Sequence, residues 1–390
     1  MEESRAAAVG PFGDRPSGGI RTALTDLLSI GIPILQSGMG RVAGPELAAE
    51  VSKAGGLGIL AGLRLGAEEL RRQIRRLREL TDRPFGVNLW LHPDVEKPLD
   101  PEAFPEDVVQ SVQGTLNRFR DTLDLPARHE RPPGLPDVVA EAFEAILDER
   151  VPVFSVGLGD PGPERVRRCH ERGVKVIAMA ATVEDARALA ASGVDAIVAQ
   201  GGEAGGHRST WVKRSSPADV GTLALVPQVV DAVSVPVIAA GGIADGRGLV
   251  AALALGAAGV MLGTRFVATR ESQAPDFWKQ SLLERRSEET TITDVFTGLH
   301  ARALRNTFAD EYESSGAPTL PGLLQSSAAE DIYTTAAQRG DAERFPQFAG
   351  QSLGLIHDLP GAGEVVARIV EEARTARAGL PEGLRLDVGS

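Results

Sequence analysis

The sequence predicts an α/β fold, a (β/α)8 barrel with an inserted segment after its third strand and a helical addition at its C-terminus. Two observations carry that prediction. Eight short apolar runs recur along the chain, rich in Val, Ile and Leu and without polar–apolar alternation, which is how strands buried on both faces of a parallel sheet read. Between them lie stretches of helical periodicity that open on proline or an acidic residue and stop at glycine.

In order, the strands are expected at 32–37 (IPILQS), 57–60 (LGIL), 85–91 (FGVNLWL), 151–158 (VPVFSVGL), 174–180 (VKVIAMA), 196–201 (AIVAQG), 235–241 (VPVIAAG) and 259–266 (GVMLGTRF). The helical stretches start at Pro45 and stop at Gly55, then run Glu68–Leu80, Glu164–Arg172, Val183–Ser192 and Asp245–Leu255. Strand–helix repetition of this kind defines a parallel barrel, and the span from Ile32 to Phe266 is close to the roughly 250 residues of a typical one. The expected division is a flexible lead-in over 1–20, a barrel over 21–270 and an extension over 271–390 that covers the active-site face. Within the barrel, 92–135 is a proline-rich insertion. Both additions are too long to be simple loops.

The 390 residues hold 41 Lys+Arg against 53 Asp+Glu, a net charge of −12. That balance opposes non-specific binding to nucleic acid or an anionic membrane, which demand a cationic footprint. The basic run RRQIRRLREL (71–80) reads as the solvated face of a barrel helix with Ile74 and Leu77 inward. The N-terminus lacks a secretory pattern, the longest apolar run (249–263) is too short to span a membrane, and Cys169 is the single cysteine. These features suggest a cytoplasmic chain without disulfides.

Barrel chemistry sits at the C-terminal ends of the strands, with a phosphate site often formed after strands seven and eight. Here those ends read Ala240-Gly241-Gly242-Ile243 and Leu262-Gly263-Thr264-Arg265. Glycines let backbone N–H groups approach a phosphate, and the helix opening at Asp245 is expected to add its dipole. After strand six, Gln200-Gly201-Gly202-Glu203-Ala204-Gly205-Gly206-His207-Arg208 sets one histidine among glycines, so His207 is the expected general base. No histidine pair has the spacing of a metal motif, so no catalytic metal is expected. Asn88 and Gln200 place amides inside apolar strands, where an unpaired amide is costly; the pyrimidine edge of a flavin would satisfy both. Gly157-Leu158-Gly159-Asp160-Pro161-Gly162 matches a dinucleotide fingerprint, but no acidic residue follows strand five to hold a ribose, so it reads as a loop.

With these blocks in view, the chain resembles the nitronate monooxygenase (2-nitropropane dioxygenase-like) family of FMN-dependent barrels. The match runs from Leu27 to Ser272 through PILQSGMGRVAGPELAAEVSKAGGLGIL, RPFGVNLWL, GVDAIVAQGGEAGGHRS, VPVIAAGGIADGRG and GVMLGTRF, and resumes in FAGQSLGLI (348–356). The resemblance implies that Gly38, Met39, Asn88, Gln200, Gly205 and Gly206 lie on FMN, that Gly241, Gly242, Gly263 and Thr264 hold its phosphate, and that His207 is the catalytic base. It implies oxidation of alkyl nitronates by O2 to a carbonyl compound and nitrite, by a monomer or homodimer. The chain departs from the family at Ser37-Gly38-Met39, where Ala-Pro-Met is frequent, and at Ser209, where glycine often stands. Flavin-dependent enoyl reductases share most of these blocks. An NAD(P)H-dependent FMN reductase acting on an enoyl thioester or quinone is therefore the rival expectation, and a flavin-binding scaffold without turnover is a third.

Overall fold

The computed structural model describes residues 19–211 and 218–381; apart from its last two residues, the expected lead-in lies outside them. The described residues form eleven strands: β1 (Ile34–Gln36), β2 (Gly58–Ala61), β3 (Phe85–Leu91), β4 (Val153–Gly159), β5 (Lys175–Ala180), β6 (Ala196–Gln200), β7 (Gly206–His207), β8 (Val237–Ala240), β9 (Gly259–Leu262), β10 (Thr290–Thr293) and β11 (Ala301–Leu304). Eight of them pair in parallel in the order β1-β9-β8-β6-β5-β4-β3-β2. A bridge between Leu35 and Leu57 joins the two ends of that order and closes the barrel.

Inward side chains fill the barrel. Leu35, Ile59, Val153, Ile177, Val198, Ile238 and Met261 form one cluster with Leu24 and Leu28 of the short helix Ala23–Leu28, which plugs the N-terminal end. Outward side chains of the same strands pack under the surrounding helices. The helix Ala67–Leu80 buries Leu70, Ile74 and Leu77. Its arginines meet carboxylates around them: Arg71 pairs with Asp148, Arg75 and Arg78 with Glu149, and Arg76 with Glu46.

Three departures from the sequence reading matter for the site. First, the eighth barrel strand stops at Leu262 rather than continuing to Phe266, because the chain turns at Gly263 into a helical turn, Thr264–Val267. Second, the extension does not lie wholly over the mouth. Its last helix, Ala362–Ala378, packs beside Gly246–Ala254 and Pro45–Lys53 and buries Val365, Val366, Ile369 and Val370 in the outer layer of the barrel. This helix fills the groove left between the helices that follow β8 and β1, so the outer layer is completed by a helix that begins 95 residues beyond Val267. Third, the insertion and the remainder of the extension share one core. Val112, Leu116 and Phe119 of the helix Glu106–Thr122 meet Phe296, Phe308, Tyr312, Leu324, Ile332 and Tyr333. Buried Arg120 bonds Asp331 at 2.9 Å, the Ala328 carbonyl at 2.6 Å, and the side chains of Gln113 and Asn117. The two segments form a single cover on the barrel.

The cover reaches into the mouth as well. Strands β10 and β11 form an antiparallel hairpin, and β11 pairs with β7, placing Ala301 opposite His207. The glycine–histidine loop is therefore the third strand of a small sheet made mostly from the extension.

Candidate active site

At the C-terminal ends of the barrel strands lies a cavity of about 580 Å³, within the range of roughly 300–1,000 Å³ found for small-molecule and cofactor sites. Gly38, Met39, Asn88, Gln200, Gly205, Gly206, His207, Gly241, Gly242, Gly263 and Thr264 all line it. Sequence positions separated by more than 200 residues thus converge on one space.

The end formed by β8 and β9 is made of backbone. Among the described residues, the N–H groups of Gly241, Gly242, Gly263 and Thr264 reach no protein acceptor. A Cβ at Gly263 would meet only the Met39 sulfur, at 3.6 Å, and its φ of −107° suits any residue. Nothing among the described residues demands glycine there. The dipole expected from the helix after β8 is otherwise engaged. Asp245 accepts from the N–H groups of Arg247 and Gly248, and Glu372 accepts from Gly246. Two carboxylates already occupy that N-terminus, so the free backbone N–H groups, rather than the helix, suit an anion.

The opposite end is made of side chains. His207 Nε2 lies 2.9 Å from Thr297 Oγ1. Its ring meets Trp90 edge-on at 4.6 Å and Phe348 at 5.2 Å between centroids. Burial pushes its pKa down to about 3, with the charges of Arg64 and His92 adding repulsion. The imidazole is therefore neutral at physiological pH. Trp90 is aimed here by a register shift between Leu89 and Trp90 where β3 pairs with β4.

Gln200 serves the protein before it can serve a ligand. Its Nε2 donates to the His207 carbonyl at 2.9 Å and its Oε1 accepts from the Ser209 N–H at 2.8 Å, so it clasps both sides of the loop. Asn88 donates from Nδ2 to Ser155; its carbonyl oxygen accepts from no described residue while the side chain faces the cavity. Thr264 Oγ1 accepts from the Gly350 N–H at 2.9 Å. A Cβ at Gly205 would stand 2.4 Å from that same Gly350 nitrogen, so Gly205 is glycine because the extension's FAGQS segment crosses it. Asp160 ties the fingerprint-like loop by accepting from Gly162 N–H and Ser192 Oγ.

Sequence reasoning passed over Arg64, Trp90, Thr297, Tyr333 and Phe348, which also line or border the cavity. Arg64 stands in the loop three residues past the end of β2, a polar residue near a strand's C-terminal end, and that position was a usable signal. Thr297 and Tyr333 belong to the extension and carry no local signature; Phe348 opens the FAGQSLGLI block, whose resemblance drew no site residue. Among the described residues, no helix is long and apolar enough to cross a membrane.

Comparison with known proteins agrees with this geometry. The family model described as nitronate monooxygenase matches residues 21–372. A "probable nitronate monooxygenase" of Staphylococcus saprophyticus is 35% identical over 365 residues, covering 91% of this chain and 98% of that protein. Among solved structures, nitroalkane oxidase from Streptomyces ansochromogenes is similar with a TM-score of 0.83 and 37% identity, covering 92% of this chain and 100% of the other. FabK from Thermotoga maritima is similar with a TM-score of 0.70 and 34% identity, covering 91% and 97%. A barrel with a cavity at its strand ends, matched by this family along nearly its whole length, is a flavin-dependent oxidoreductase, and the chain belongs to the nitronate monooxygenase family.

Proposed function

We propose that this enzyme binds FMN in the strand-end cavity and oxidises alkyl nitronates with O2 to a carbonyl compound and nitrite, with His207 as the base for neutral nitroalkanes. The observation that carries the reading is the pairing of two unlike features in one cavity: unengaged backbone N–H groups at Gly241, Gly242, Gly263 and Thr264, and a neutral histidine fixed at the other end. The first suits a phosphate and the second suits proton transfer. FMN, when bound, would supply the electron chemistry between substrate and O2.

The protein's own part is positional. Gly241, Gly242, Gly263 and Thr264 would hold the phosphate, with Gly38 and Met39 beneath the ring system and Asn88 offering its carbonyl to a ring N–H. Thr297 directs its hydroxyl at the Leu299 carbonyl, 3.1 Å away. That arrangement leaves Thr297 Oγ1 to accept from His207 Nε2–H and leaves Nδ1 as the basic atom. Nδ1 would take the α-proton of a nitroalkane. Burial lowers the pKa of the imidazole, so it stands neutral and able to accept a proton. A nitronate arrives already deprotonated and needs no base.

The test is to release the chromophore by heat and identify it by mass, then titrate the flavin-loaded protein anaerobically. Released FMN, reduction by nitronates and little reduction by NADH or NADPH support the reading. The similarity to FabK favours a second reading, an NAD(P)H-dependent FMN reductase acting on an enoyl thioester or quinone; rapid anaerobic bleaching by pyridine nucleotide would select it.

A further inference from the structure

We propose that Arg64 is the substrate-binding cation of the cavity, and that its guanidinium selects the planar, anionic nitronate group over the neutral nitro group. The proposal rests on the nitronate reading above and names the residue that gives it specificity.

Arg64 lines the cavity together with Trp90 and His207, and it is partly buried there. Arg41, which lines the same cavity, bonds Glu330 at 2.7 Å, and arginines of Ala67–Leu80 meet Asp148, Glu149 and Glu46. Arg64 is different. Among the described residues its only hydrogen bond is to Ser326 Oγ, at 2.8 Å, and no carboxylate lies within ion-pair distance. Glu330, whose charge favours the protonated Arg64, is already taken by Arg41. Ser326 Oγ in turn donates to the Leu323 carbonyl, so it can only accept from Arg64. Four of five guanidinium N–H donors thus lack a described acceptor in a partly desolvated place.

The backbone makes the same point. Six non-glycine residues among those described have positive φ, and three of them, Arg41 at 60°, Arg64 at 63° and Leu323 at 72°, line this one cavity. Left-handed backbone at a bulky residue is strained and persists where the surroundings over-determine it, commonly at ligand sites. Here that backbone presents a cation to the cavity instead of to solvent. A guanidinium matches two coplanar oxygens bidentately. The nitronate group offers two such oxygens with a full negative charge, whereas a nitro group offers them without net charge. An anion beside Arg64 would also favour the imidazolium that His207 becomes on accepting a proton, offsetting the repulsion between those two groups.

The experiment compares wild type with Arg64→Gln, Arg64→Lys and Arg64→Asn, all loaded with FMN. Equilibrium binding of nitrate, an inert planar oxyanion, is read from the perturbed flavin spectrum. KM and kcat are measured for a nitronate and for its parent nitroalkane. Arg64→Gln should weaken nitrate binding and raise KM for the nitronate by about 10-fold or more, the size of a lost charge-assisted hydrogen bond, with the KM for the nitroalkane nearly unchanged. Arg64→Lys should recover part of the loss. Asn tolerates left-handed backbone, so Arg64→Asn should melt no lower than wild type while losing the anion, which separates binding from folding. Nitrate affinity and nitronate KM unchanged in Arg64→Gln would overturn the proposal and leave the nitronate reading standing. A wild type that binds nitrate through Arg64 but turns over no nitronate would overturn the functional reading and with it the claim about nitronate selection.

Discussion

The two ends of the cavity are built from different material. At β8 and β9 the lining is main chain, supplied by glycines within the barrel repeat. At β2, β3 and β6 it is side chains, His207, Arg64, Asn88 and Trp90, of which His207 and Arg64 are held by Thr297 and Ser326 of a cover from outside the repeat. The first end offers donors without shape or charge of its own, which suits a group common to many barrels. The second sets charge, proton affinity and fit, which suits the particular substrate. Damage to the cover should therefore spare the backbone end and loosen the side-chain end.

The largest effect expected of this contrast falls on the cover. Arg120 is buried and joins the insertion to Asp331 and Ala328 of the extension. Arg120→Ala should cost about 3 kcal/mol of stability, because it leaves buried partners uncompensated; thermal unfolding would read the loss. FMN dissociation should rise less than nitronate KM in this variant.

Next is the backbone end itself. Gly263→Val would project side-chain atoms into space where the protein has only the Met39 sulfur nearby, so folding should survive while FMN affinity falls about 100-fold. Fluorescence titration of the apoprotein with FMN measures it. An unchanged affinity would remove Gly263 from the phosphate site.

A further effect is one of pH. His207 has its pKa lowered from 6.5 to about 3 in the folded chain, through burial first and then the charges of Arg64 and His92. Below pH 6.5 the unfolded chain binds a proton there that the folded chain does not. Stability should therefore fall as pH drops from about 6.5 towards 4, and His207→Asn should flatten that slope. Denaturant melts at a series of pH values check the sign. A wild-type slope no steeper than that of the variant would mean that His207 titrates normally.

What was legible in the sequence follows the same division. The barrel strands and the glycines of β8 and β9 announce themselves locally, through apolar runs and their terminators. The convergence of Gly38, Gly205 and Gly263 on one cavity follows from barrel topology. Gln200 was visible as an odd amide in a strand, but its loop clasp is a contact that spacing does not encode. The helix dipole expected after β8 is engaged by Glu372 from the far end of the chain. Ala362–Ala378 carries an ordinary amphipathic pattern, and only packing shows that it closes the barrel. Thr297, which orients His207, lies 90 residues away on a hairpin that becomes meaningful only when β11 meets β7.

The most direct test of the central claim is nitrite release with O2 consumption by FMN-loaded wild type and His207→Asn, each given a nitronate and its parent nitroalkane. The account predicts that the variant loses about 10²-fold or more in kcat/KM on the nitroalkane, where a proton must be removed, and stays close to wild type on the nitronate, where none is. Equal losses on both substrates, or none on either with normal flavin content, would contradict the role of His207 as the base.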